Sequence, residues 1–150
     1  MKALEGLPLR GPESATTASS HRARLGQFFT PRALVERICA WAIRTPLDHV
    51  IDPTCGEGDF LLGAVGRLRG LGASKPVVHG VDVDLGVLTV ARERAGPEAL
   101  LRHADFLACD PYPFDAIVGN FPYVRQEALG PAYKEALRRV LAAHPAEDVE

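Results

Sequence analysis

After Pro46 the chain falls into a repeating rhythm of short apolar run, turn residues and helical pattern, and this rhythm constrains the fold more than any other feature. Residues 49–52 (HVID) read as a short buried strand, GEGDF as a glycine-rich turn and LLGAVGRL as the helix behind it. PVVHGVDVD predicts a second strand ending near Asp82, and LGVLTVARERA a second helix. A third strand is expected at residues 100–103 and a fourth at 115–120 (DAIVGN). The last helix is expected in EALGPAYKEALRRVLAA, with Gly130 and Pro131 marking its start. Upstream, ALVERICAWAI is apolar at helical spacing through Leu34, Val35, Ile38, Trp41 and Ala42. Thr30 is expected to cap that helix, Pro31 to take its first position and Pro46 to stop it. Strands alternating with helices over short loops imply an α/β domain, a mostly parallel sheet with helices on both faces. Such sheets bind ligands at the carboxyl ends of their strands, so the strand-ending residues carry the functional argument.

Length and composition exclude several alternatives. A chain of 150 residues allows one domain with a core that needs neither disulfide nor metal. With 17 basic and 19 acidic residues the net charge is −2, so bulk positive charge cannot grip nucleic acid and any such contact must be local. Cys39, Cys55 and Cys109 are too scattered for a zinc site or disulfide framework and read as reduced thiols; no metal is expected. No run of apolar residues is long enough for a signal peptide core or a membrane span, so a cytoplasmic protein without membrane contact is expected. GPESATTASS has the bias of a flexible lead-in. The expected organisation is a flexible segment over residues 1–24 and one α/β domain over 25–150.

Three of the four strand ends carry an acid: Asp52, Asp82 and, just beyond the third strand, Asp105. Ionised carboxylates only accept hydrogen bonds, so this set suits a ligand rich in hydroxyl and amino donors. In DPTCGEGDF, Gly56 and Gly58 stand where the backbone must turn and approach a ligand closely. A dinucleotide site is one reading of this loop, but its fingerprint needs a small residue where Leu61 stands. Asp52 and Pro53 also precede the glycines, and an acid there suits a cationic amine better than a pyrophosphate. A ligand with an α-ammonium group, such as S-adenosyl-L-methionine, is favoured over NAD.

GQFFTP, DPTCGEGDF, GVDVD, ADFL and GNFPYVRQ, in that order across residues 25–126, resemble the amino-methylating DNA methyltransferases, in particular adenine-specific enzymes of restriction–modification systems. The resemblance implies a Rossmann-like class I methyltransferase fold and S-adenosyl-L-methionine as cofactor. By that likeness Thr30 contacts the methionine carboxylate. Asp52 and the loop of Pro53, Thr54, Cys55, Gly56 and Gly58 hold the amino-acid portion, with the Cys55 thiol packing as a small apolar group. Asp82 accepts from the ribose diol, Asp105 accepts from the adenine amino group, and Val83 or Phe106 packs on the ring.

The likeness assigns catalysis to Asn120, Phe121, Pro122 and Tyr123. The Asn120 side-chain oxygen and the Phe121 carbonyl accept from the target amine, and Tyr123 stacks on an adenine flipped out of double-stranded DNA. Phe121 stands where proline is commoner, which keeps the carbonyl but gives up a fixed φ. Arg125 is a candidate phosphate contact, with Arg22, Arg24 and Arg32 on a basic rim. The pattern stops after four strands without a target-recognition domain. The expectation is a sheet incomplete at its C-terminus, with a missing C-terminal half or a target-recognition subunit as partner. Related readings are a methyltransferase of the same fold acting on RNA or on protein glutamine, and an inactive remnant that binds cofactor or partner.

Overall fold

A computed structural model describes residues 30–109, 112–121 and 130–143. Helix α1 (Arg32–Ala42) leads into β1 (Val50–Asp52), α2 (Asp59–Gly70), β2 (Val78–Asp82) and α3 (Leu85–Ala95). Then come β3 (Ala99–His103), β4 (Ala116–Ile117) and α4 (Pro131–Ala143), with 3-10 turns at Gly96–Glu98 and Phe106–Ala108. The segment 1–24, expected to be flexible, lies outside the described residues.

The four strands form one sheet in the order β3-β2-β1-β4, and every neighbouring pair is parallel. Val50 pairs laterally with Val78 and Ala116, and Val78 with Ala99. Laterally paired residues share a face. That face meets Val35, Cys39 and Ile43 around α1, Phe60, Leu61, Ala64, Val65 and Leu68 of α2, and Leu88, Ala91 and Ala95 of α3 in one apolar core. On the opposite face Ile51 is buried, His79 packs edge-on against Phe114 at 5.3 Å between ring centroids, and Leu100 and Ile117 are 52% and 55% exposed. The parallel sheet expected from the sequence is thus present; helices were expected on both faces, and among the described residues the strand-contacting helices α2 and α3 lie on one. Helix α4 packs instead on the Phe106–Ala108 turn.

Local chemistry explains the element ends. Asp84 caps α3, its Oδ1 accepting from the Gly86 amide at 2.8 Å. Gly58 caps α2 in the left-handed region (φ +88°), where a side chain would be strained and its Cβ would lie 3.3 Å from that of Ala91.

Several expectations for α1 are corrected. Thr30 does not cap the helix: Pro31 takes the cap position, its carbonyl accepting from the Leu34 amide at 2.9 Å and the Val35 amide at 3.1 Å. The Thr30 hydroxyl receives Asn120 instead. Pro46 does not end the helix either, because the chain is already extended at Ile43, which is fully buried. The Asp48 carboxylate then collects the Arg44 and Thr45 amides at 2.7 and 3.2 Å, offering them partners outside a helix. Trp41 and Leu34, expected on the apolar face, are 74% and 48% exposed, and the buried stripe is Val35–Cys39–Ile43.

Candidate functional site

β1 lies between β2 on one side and β4 on the other, so the strand order reverses there, and a crevice opens beyond the strand ends at such a point. Asp52 ends β1 and is 2% exposed; Asp82 ends β2 and is 6% exposed. Asp52 Oδ1 accepts from the Thr54 amide at 3.1 Å. Asp82 accepts from the Gly56 amide through Oδ2 at 2.8 Å and from the Asp84 amide through Oδ1 at 2.9 Å. The second strand's acid therefore holds both the glycine-rich loop and the turn after β2.

Among the described residues neither carboxylate is paired with a Lys or Arg side chain. Burial pushes the Asp52 carboxyl up to about 7, and the charges of Asp82 and Asp59 add to that against the opposing Thr54 amide. Asp82 is also raised by burial, opposed by the amides that bind it. Two neighbouring acids held out of water without a cation form a site that a positively charged ligand would relieve.

The first loop presents further features for a ligand. Gly56 adopts φ +52°, and a Cβ built on it meets nothing within 4 Å, so this turn is open on that side. Thr54 Oγ1 is buried with no hydrogen-bond partner among the described residues, an unmet group that a bound donor or acceptor would satisfy. Pro53 is fully buried, and the Cys55 amide donates to the Val81 carbonyl at 2.8 Å. Burial raises the Cys55 thiol, which fits packing and not reactivity. Arg94 of α3 ties the loop from outside, donating to the Glu57 carbonyl at 2.8 Å and to Asp59 Oδ1 at 2.6 Å.

Beyond β4 the Val118 amide still donates to the Ile51 carbonyl at 2.9 Å, and the chain then crosses Asp52 at Gly119. A Cβ on Gly119 would stand 2.6 Å from Asp52 Oδ1, so only glycine fits between that acid and the catalytic-loop candidate Asn120. Asn120 Nδ2 donates to Thr30 Oγ1 at 3.2 Å, joining the start of α1 to the end of β4. Phe121 is exposed. Pro122, Tyr123 and Arg125 lie outside the described residues.

Asp105 stands at the other edge, after β3. Its Oδ1 accepts from the Leu107 amide at 3.0 Å and its Oδ2 from the Tyr133 hydroxyl of α4 at 3.0 Å. Val83 exposes its side chain beside Asp82, and its carbonyl contacts His103 Nε2 at 3.0 Å. Phe106 opens the 3-10 turn, half-buried. Three residues of this neighbourhood escape sequence reasoning: Gly119, Tyr133 and Arg94. Gly119 carried a signal, being the first residue of the GNFPYVRQ motif, but was given no role of its own. The other two act across long sequence separations that no local pattern encodes.

The parallel order around β1 and the glycine-rich first loop define a Rossmann-like class I methyltransferase fold. The solved structure of SAM-bound CalS10, an amino pentose methyltransferase from Micromonospora echinaspora involved in calicheamicin biosynthesis, shares it. The TM-score is 0.50 with 25% identity, over 91% of this chain and 55% of that one. The chain belongs to the N-6 DNA Methylase family, which matches it over residues 15–138. It is similar to the modification methylase CviBIII of Paramecium bursaria Chlorella virus NC1A, 28% identical over 113 residues, covering 73% of this chain and 29% of the relative. It is also similar to the type II methyltransferase M.XhoI of Xanthomonas vasicola, 32% identical over 139 residues, covering 69% of this chain and 25% of the relative. The chain therefore spans less than a third of the length of these curated relatives.

Proposed function

We propose that this chain is the cofactor-binding half and catalytic loop of a DNA adenine methyltransferase, transferring a methyl group from S-adenosyl-L-methionine to the exocyclic amine of adenine. Family membership supports the reaction, and the observation that carries the site is the pair of buried carboxylates, Asp52 and Asp82, which have no Lys or Arg partner among the described residues, with Gly119 crossing against Asp52. The residues present suit the cofactor: acids that meet no basic side chain and a Thr54 hydroxyl that meets no hydrogen-bond partner among the described residues, and a turn open beside Gly56. The cofactor supplies an electrophilic methyl group on a sulfonium.

The protein's own residues do the rest by holding and orienting. Asp52, ionised, accepts from the α-ammonium group while its Oδ1 keeps the Thr54 amide. Asp82 keeps the Gly56 and Asp84 amides and offers its remaining lone pairs to the ribose hydroxyls. Asp105 accepts from the adenine amine at the lone pairs left by Leu107 and Tyr133, and Val83 and Phe106 provide apolar surface for the ring. Asn120 Oδ1 and the Phe121 carbonyl accept the two N–H bonds of the target amine, which favours the pyramidal nitrogen whose lone pair attacks. Pro122 and Tyr123 complete this loop in the proposal, with Tyr123 stacking on the flipped base and Arg125 meeting a backbone phosphate. Residues 25–150 form the catalytic part in this proposal.

Calorimetric titration tests the first half of this proposal. The folded chain should bind S-adenosyl-L-methionine one to one, and a folded chain that takes up none would overturn it. Methyl-labelled cofactor with duplex DNA, with the target-recognition part supplied, tests the second. Labelled N6-methyladenine is expected in the digested nucleosides, whereas label in RNA or in protein glutamine would move the substrate to the other class.

A further inference from the structure

We infer that Thr30 is a positioning residue that sets which way the Asn120 amide faces and links that orientation to occupancy of the cofactor site. The inference rests on the proposed function and goes beyond a carboxylate contact by Thr30. Its basis is the bond from Asn120 Nδ2 to Thr30 Oγ1, 3.2 Å long and made between residues separated by 90 positions.

A carboxamide presents acceptor and donor from two ends of one planar group, and the two ends differ in function. The target amine offers N–H bonds, so the end facing it must be the oxygen. An amide turned the other way would aim donors at donors. The backbone at Asn120 does not decide between the two, because half a turn about the last side-chain bond exchanges them. In the structure the Thr30 hydroxyl takes Nδ2–H, which leaves Oδ1 on the opposite side of the amide carbon; a flipped amide would need the hydroxyl's own hydrogen, and an acceptor at the carboxylate position withholds it. Thr30 is well placed to hold this setting, since it is 9% exposed and locked at the start of α1.

The same contact connects two sites. Once Oγ1 has accepted from Asn120, the hydroxyl hydrogen points elsewhere and can donate to an acceptor such as the cofactor's carboxylate. A hydroxyl that donates to an anion becomes a better acceptor, so each bond strengthens the other. Binding at the carboxylate position therefore tightens the amide into the orientation that the reaction requires. Valine has the shape of threonine but can neither accept nor donate, whereas serine can do both.

The sequence makes the test direct, because Asn120 is the only asparagine in the chain. Labelling with 15N-asparagine gives one side-chain amide pair to follow by NMR. In the unmodified chain one Nδ2 proton should exchange with water more slowly than the other, and S-adenosyl-L-methionine should shift the pair further. Thr30→Val should move the pair toward the positions of a solvated amide and remove its response to cofactor that calorimetry shows to be bound. Thr30→Ser should restore both. If the pair is unprotected in the unmodified chain, or equally responsive in Thr30→Val, the inference is overturned. The protection measurement needs no variant and stands even where Thr30→Val does not fold. Cofactor that fails to bind the unmodified chain sinks the proposed function and the link between sites together. A Thr30-dependent amide pair in that same sample would still uphold the orienting contact.

Discussion

Burying Asp52 costs the fold stability, and that cost has a pH signature. Its carboxyl holds a proton up to about 7 in the folded chain, against an ordinary value of 3.8, chiefly because it is buried. Between those values the folded state binds the proton and the unfolded state has lost it. Stability therefore falls as pH rises through that window and levels off above it. Three pH units correspond to at most about 4 kcal/mol. Asparagine keeps an oxygen for the Thr54 amide and has no charge to bury. We expect Asp52→Asn to be more stable than the parent at about pH 8 by roughly 1–4 kcal/mol, with the difference vanishing toward about pH 4, while cofactor binding is lost. Urea titrations at several pH values measure this directly, and parallel pH profiles for the two proteins would contradict it. The acid itself was legible in the sequence, as were Asp82 and Asp105. Their present partners were not: the Gly56 amide reaches Asp82 across 26 positions and Tyr133 reaches Asp105 across 28.

At the scale of elements, periodicity located nearly every helix and strand but misjudged how they meet. The second helix spans the residues expected of it, and β3 begins one residue early. β4 is two residues where six were expected, because Gly119 must leave the ladder to cross Asp52. Helix α1 shows the larger error. Its largest side chain, Trp41, faces outward, because α1 approaches α2 at Gly63 and presents Val35 and Cys39 there. Such closeness depends on a glycine in another helix, which no pattern within α1 can reveal. A Cβ on Gly63 would lie 2.5 Å from Val35 Cγ1 and 3.1 Å from Cys39 Sγ. Alanine is favoured over glycine in a helix by about 1 kcal/mol, but overpacking a tight contact costs about 1–3 kcal/mol. Gly63→Ala should therefore destabilise the chain, whereas Gly66→Ala, whose Cβ meets nothing within 4 Å, should stabilise it. Thermal melts of the two variants should move in opposite directions; equal shifts would mean that α1 does not pack on α2 at Gly63.

For the whole molecule, the alternating pattern made a parallel α/β sheet legible, while the order β3-β2-β1-β4 comes from long-range pairing. That order gathers β1, β2 and β4 at one end, and with them two buried acids that weaken the empty protein. A cationic ligand bound there should convert the liability into stability. At a free concentration a hundred times its Kd, the ligand adds about 2.7 kcal/mol, which for a chain of this size raises Tm by about 5–10 °C. The gain should depend on pH in the sense opposite to that of the empty chain. Below about 7 the proton on Asp52 must leave before the ammonium can bind, so affinity drops by up to about tenfold per pH unit, or about 1.4 kcal/mol. At fixed S-adenosyl-L-methionine the Tm shift should accordingly be large at about pH 8 and shrink toward about pH 5, and in Asp52→Asn it should be absent throughout. Equal shifts across that range would detach ligand binding from Asp52, and the cationic site would have to be sought elsewhere in the chain.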